Sequence, residues 1–110
     1  MMAKSATISW KGFLSVNNAE AIKEELEKKL SKDDSLTIDI SNADDIDVSI
    51  IQLMYAAFKE AAALQKKLSI TGTFKPDVRR CLYVCGIIEN DAMPDADIAA
   101  KLNALGGTQS

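Results

Sequence analysis

Hydrophobic and polar positions along the chain follow two periods, and the switches between them mark out the elements. Ala6 to Trp10 alternates, with Ile8 and Trp10 on one side and Thr7 and Ser9 on the other, the pattern of a half-buried strand. Lys11-Gly12 predicts a tight turn into a second strand, Phe13 to Val16. The period then changes. Ala19, Ile22, Leu26 and Leu30 form one narrow stripe, with Asn17-Asn18 offering an N-cap and Glu20 completing a capping box. Glu24–Lys28 and Glu25–Lys29 are oriented as i,i+4 pairs on the outer side. Ser31 to Ser35 reads as the loop that ends this surface helix.

Leu36, Ile38 and Ile40 alternate with Thr37 and Asp39, and Leu68 and Ile70 alternate with Ser69 and Thr71. Strands covered by helices on both faces would read as unbroken apolar runs, so the helices are expected mainly on one face. Between these strands runs the longest helix, about Val48 to Lys66. Its outer arc holds Ser49, Gln52, Ala56, Lys59, Glu60, Ala63 and Lys67, and the rest, including Tyr55 and Leu64, is apolar. A third helix begins at Pro76-Asp77 and is capped by Gly86; Val78, Cys81, Leu82 and Cys85 form its inner stripe, with Arg79 and Arg80 outward. Ile87-Ile88 suggests a last short strand. Pro94 to Leu105 predicts a terminal helix stopped by Gly106-Gly107. The sum is an α/β chain with a mixed four- to five-stranded sheet and about four helices.

Composition narrows the chemistry. A chain of 110 residues, 47% apolar and 26% charged, fits one globular domain. That domain is expected over 1–110, with a core of about 7–105 and a flexible tail at 106–110. There is no histidine, which excludes Ser-His-Asp and Cys-His catalysis and His–Zn hydrolysis. A net charge of −3 argues against a nucleic-acid binder. No signal peptide or membrane span is legible, so a soluble cytoplasmic protein is expected.

The charge is unevenly placed. From Asp33 to Phe58 there are six acids, Asp33, Asp34, Asp39, Asp44, Asp45 and Asp47, and no base. The rest holds ten acids against thirteen bases, so a −6 window hides inside a mild total. Ser41 to Asp45 reads as an acidic bend that would meet a basic partner. Its carboxylates lack the spacing of a calcium loop, so no metal site is assigned. Cys81 and Cys85, four apart on one helical face, read as core packing rather than redox or nucleophilic chemistry. No nucleophile is assembled with a base and no cofactor is implied; the chain is read as a non-enzyme. Ser49 is the notable hydroxyl. With Asp47 as N-cap it falls in the first turn of the long helix, where backbone N–H groups tolerate an added anion. A phosphate there would add about −1.5 to −2 charge beside Asp44, Asp45 and Asp47.

Three segments resemble a known family: Gly12 to Ala19; Leu36 to Ser41 followed by Ile46-Asp47-Val48-Ser49-Ile50; and Pro76 to Leu82 with Gly86-Ile87. Together with the element order, from about Thr7 to Leu105, they resemble the STAS domain. That family includes bacterial anti-sigma-factor antagonists and the cytosolic domains of sulfate transporters. In the antagonist branch the second segment reads Asp-Ser-Ser-Gly, and its second serine is phosphorylated by a partner kinase of the anti-sigma class. Asp47 matches the Asp and Ser49 that serine, while Val48 and Ile50 replace the other serine and the glycine. The helical arc turns Ile50 inward, which leaves approach to Ser49 open.

The resemblance implies a signalling module that binds a partner through Asp44, Asp45, Asp47, Ser49 and Gln52 and is switched at Ser49. An anti-sigma factor, a serine kinase or an ATPase subunit are the partner types it implies. The alternative it implies is a constitutive adaptor, such as the small STAS subunit of a lipid-transporting ABC complex. An exposed sheet face or edge strand leaves room for a homo-oligomer.

Overall fold

Three strands, β1 (Ser5–Leu14), β2 (Ser35–Ile46) and β3 (Lys67–Thr71), pair in parallel in the order β1-β2-β3. The computed structural model describes the backbone of residues 5–107 and the side chains through Ala104. The register aligns Ile8, Ile38 and Ile70 in one row and Ala6, Leu36 and Leu68 in the next, which makes one apolar face. Thr7, Thr37 and Ser69, then Ser9, Asp39 and Thr71, line the other face. Leu36, Ile38 and Ile40 are fully buried, each contributing about 1.5–3 kcal/mol of transfer free energy.

Four helices complete the fold: α1 (Val16–Lys32), α2 (Val48–Ala63), α3 (Pro76–Val84) and α4 (Asp95–Gly107). α2 packs against α1, α4 and β3, while α3 packs against β2. The architecture is α/β, and the expectation of four or five strands in a mixed sheet is corrected to three parallel strands among the described residues. Two physical reasons account for the difference. Ile8, Trp10 and Leu14 keep a single period of two through Lys11-Gly12, so the expected turn is the interior of one strand. Ile87-Ile88 forms no strand because its N–H groups are used elsewhere. Ile87 donates to Leu82 at 2.9 Å and Gly86 to Tyr83 at 3.0 Å, closing α3 with Gly86 at φ +81°. This is a Schellman ending, in which glycine avoids the left-handed penalty of a side chain.

The acidic bend is also strand. β2 continues to Ile46 and stays paired with β1, but it bulges twice. Between the pairs Ser9–Asp39 and Lys11–Asn42, β1 has only Trp10 where β2 has Ile40 and Ser41. Between Gly12–Ala43 and Phe13–Asp45, Asp44 has no partner. Each extra residue re-aims the side chains that follow. Hence Ile38, Ile40, Ala43 and Ile46 all point inward although their spacing widens from two to three.

Helix boundaries shift slightly from expectation. α1 is capped by Ser15, not Asn17-Asn18. The Ser15 hydroxyl accepts the Asn17 N–H at 3.2 Å and Asn18 Oδ1 accepts the Ser15 N–H at 3.0 Å. The pairs Glu24–Lys28 and Glu25–Lys29 do not close within ion-pair distance among the described residues. α2 ends at Ala63, and Tyr55 and Leu64 are exposed, so its buried stripe is the ordinary Ile50, Ile51, Met54, Ala57, Phe58 and Ala61. Gly106 and Gly107 continue α4 instead of stopping it. Residues 108–110, expected to fray, lie outside the described residues.

Arg79 turns inward, against expectation. Its guanidinium pairs with Asp95 at 2.7 Å and donates to the carbonyls of Phe74, Asp91 and Met93. Backbone carbonyls of the segment between α3 and α4 converge on this one side chain, a demand that the helical arc alone does not reveal.

Candidate functional site at the carboxyl end of the sheet

Parallel pairing brings the ends of β1 and β2 side by side, and each strand leads directly into a helix. The N-termini of α1 and α2 therefore meet at the carboxyl edge of the sheet, the edge at which open α/β folds bind their ligands. Asp47 joins them. Its Oδ1 accepts the Ile50 N–H of α2 at 3.3 Å, and its Oδ2 accepts the Val16 N–H of α1 at 3.1 Å. The Asp47 N–H donates to Leu14 at 3.1 Å, tying the end of β1 to the start of α2. One carboxylate thus serves two helix N-termini, where negative charge is favoured.

The other expected site residues lie nearby in the chain. Asp44, unpaired in the strand ladder, is exposed and forms an ion pair with Lys75 at 2.7 Å. Asp45 is half-buried and accepts the Ile46 N–H at 2.8 Å. Ser49 is the second residue of α2 and half-buried, and its hydroxyl has no hydrogen bond among the described residues. Gln52, one turn further on, is exposed. Ile50 is fully buried and Val48 is exposed. An open groove runs between the start of α2 and α3, lined by Asp45, Asp47, Val48, Asp77, Arg80, Cys81, Val84 and Cys85.

The groove corrects two expectations. The acidic window is not bare, since Lys75 and Arg80, distant in sequence, fold against it. Of the two cysteines expected in the core, Cys81 is half-buried and packs against it, whereas Cys85 is exposed. Burial, the Cys85 thiol, and then Asp45 and Asp47 push the Cys81 thiol up to about 11. Cys81 therefore stays protonated near neutral pH and is a poor nucleophile.

Behind the acids, β2 and the β3–α3 connection are laced together. Asp39 accepts the Ser41 N–H at 2.9 Å and Ser41 Oγ accepts the Thr73 N–H at 2.9 Å. Gly72 fits between them at φ +112°, where a Cβ would stand 2.4 Å from Ser41 Oγ and 2.5 Å from Asp39 Oδ1. Sequence reasoning named Asp39, Ser41 and Arg80 without bringing them together here, and it missed Gly72 and the double role of Asp47. The widened spacing Ile40, Ala43, Ile46 was the available signal for the bulged strand that places them.

No helix among the described residues is long and apolar enough to cross a membrane. A search of curated proteins returns no match. Among solved structures, the anti-sigma factor antagonist SpoIIAA in its unphosphorylated form is similar in fold. The TM-score is 0.63 at 17% identity, over 78% of this chain and 76% of that one. The family model for the STAS domain matches residues 5–99, so the chain belongs to the STAS domain family.

Proposed function

We propose that this STAS domain, one unit over 1–110, is a non-enzymatic cytoplasmic docking module resembling an anti-sigma-factor antagonist. It binds a partner protein through Asp44, Asp45, Asp47, Ser49 and Gln52, and phosphorylation of Ser49 switches that contact. The observation that carries the reading is the unbonded Ser49 hydroxyl in the first turn of α2, beside the carboxylate that holds two helix N-termini. A phosphate there is favoured by the helix dipole and requires no refolding. It also adds about −1.5 to −2 charge and the bulk of a phosphate next to Asp45 and Asp47, enough to remodel the contact and to draw a basic group of the partner away from its docked position. The buried Ile50 supports the same reading, because it leaves the outer side of the turn open in spite of its bulk. An anti-sigma factor is the partner class that the likeness to the anti-sigma factor antagonist SpoIIAA favours, and the family resemblance adds a serine kinase activity to that class.

The test combines mapping with capture. Incubation with ATP and an extract of the protein's own cells, followed by mass mapping, should place phosphate on Ser49. The partner should be captured by wild type and Ser49→Ala and lost with Ser49→Asp. Equal capture by all three ends the switch. Exposed Val48, where the antagonists carry a hydroxyl, favours what would then remain: a constitutive adaptor, for example on an ATPase subunit of a lipid transporter.

A further inference from the structure

We propose that the carboxyl end of the sheet docks a basic amphipathic helix, through four exposed apolar side chains set around Asp45 and Asp47. The proposal deepens the reading above by naming the chemistry of the partner, and it rests on that reading only in taking this end of the sheet as a docking surface.

Seven large apolar side chains are exposed among the described residues, and four of them belong to this end. Phe13 (57% exposed) is the strand partner of Asp45. Val16 (66%) gives its N–H to Asp47. Val48 (53%) and Val84 (73%) line the groove with both acids. Isolated exposed apolar residues are ordinary, but a cluster rimmed by charge marks an interaction surface. Two of the four stand at helix starts that are tied to each other. Val16 and Val48 are the first residues of α1 and α2, whose starts the Asp47 carboxylate and N–H fix. Docking onto these two orders little that is not already ordered, which lowers the entropic cost of association.

Charge selects the occupant. The groove presents Asp45, Asp47 and Asp77 against Arg80 alone, a net of −2. A second copy of this chain related by a two-fold axis would set those acids against themselves, and like charges across an interface are costly. An anionic membrane or nucleic acid would be repelled in the same way. A helix with an apolar stripe flanked by Lys and Arg satisfies both features, with its stripe on the four side chains and its ammonium or guanidinium groups on the acids.

The probe is a pair of synthetic amphipathic peptides about five turns long, one of Leu and Lys and one of Leu and Glu on the same stripe. Each is titrated into the isotope-labelled protein and followed by amide chemical shifts. The Leu/Lys peptide should shift amides at 13–18, 45–52 and 77–86, and raising salt from about 50 to about 500 mM should weaken it several-fold. Val48→Ser with Val84→Ser, both at exposed positions, should weaken it roughly tenfold while the melting curve stays put. Equal binding of the Leu/Glu peptide, shifts elsewhere, no binding, or concentration-dependent dimers through these residues would overturn the proposal. Binding here with no effect of Ser49→Asp would leave the surface and remove only the switch. Loss of the peptide site with a Ser49-dependent partner would do the reverse.

Discussion

At Asp39 a single carboxylate on the polar face of the sheet accepts the Ser41 N–H at 2.9 Å, and the backbone and then the hydroxyl of Ser41 hold its pKa below the ordinary aspartate value. A group lowered in the folded state favours folding above its unfolded value, and that contribution is lost as pH falls through the folded value. Wild type should therefore lose stability as pH drops below about 4. Asp39→Asn should be less stable than wild type at pH 7, with the difference shrinking toward pH 3, as read from urea midpoints at the two pH values. The side chain is half-buried and partly screened by solvent, so the effect is modest. Sequence alone showed Asp39 only as an acid alternating with Ile38 and Ile40. Its partner Ser41 comes from the first bulge, and Gly72 comes from the connection after β3, so no local pattern could have paired them.

Asp47 carries the main consequence among the elements. Its identity as the N-cap of α2 was legible, because Asp preceding an apolar periodic run is a strong start signal. Its bond to Val16 was not, since it depends on two parallel strands ending in register. Removing one cap typically costs about 1 kcal/mol, and here one side chain serves two helices. Asp47→Ala should lower stability by about 1–2 kcal/mol, and hydrogen exchange should accelerate at the first-turn amides of both α1 and α2. Acceleration confined to α2 would mean that the Val16 bond contributes nothing. The elements themselves were largely readable from periodicity: Leu36-Ile38-Ile40, Leu68-Ile70, and the Ile22-Leu26-Leu30 stripe all stand where the pattern puts them. Errors arose where one signal had two physical meanings. Lys11-Gly12 reads as a turn, yet Leu14 continues the alternation. Ile87-Ile88 reads as a strand, yet its N–H groups belong to the end of α3.

Across the whole molecule, the second half of the chain is held by long-range polar ties as much as by its apolar stripe. Arg79 links α3 to Asp95 and to carbonyls on either side of the loop, and Asp95 in turn accepts the Phe74 N–H at 2.9 Å. With a side chain 19% exposed, Arg79 cannot be truncated without leaving several of these groups unpaired. Arg79→Ala should destabilise by about 2–3 kcal/mol, read as a lowered urea midpoint with the single transition preserved. Arg79→Lys should recover only part, because an ammonium cannot reproduce the fork of a guanidinium. The bulged strand has a different kind of reach. Asp44 is the residue that β2 holds in excess of β1, and the pairs on either side of it, Gly12 with Ala43 and Phe13 with Asp45, are already neighbours. A chain one residue shorter at this position keeps every other rung of the ladder and every inward side chain. The first bulge holds an excess residue as well, Ser41, but its loss would also remove the bonds that Ser41 makes to Asp39 and Thr73. The length of this segment is therefore negotiable at its two bulges, and at the second of them the residue that sits there is the acid that meets Lys75.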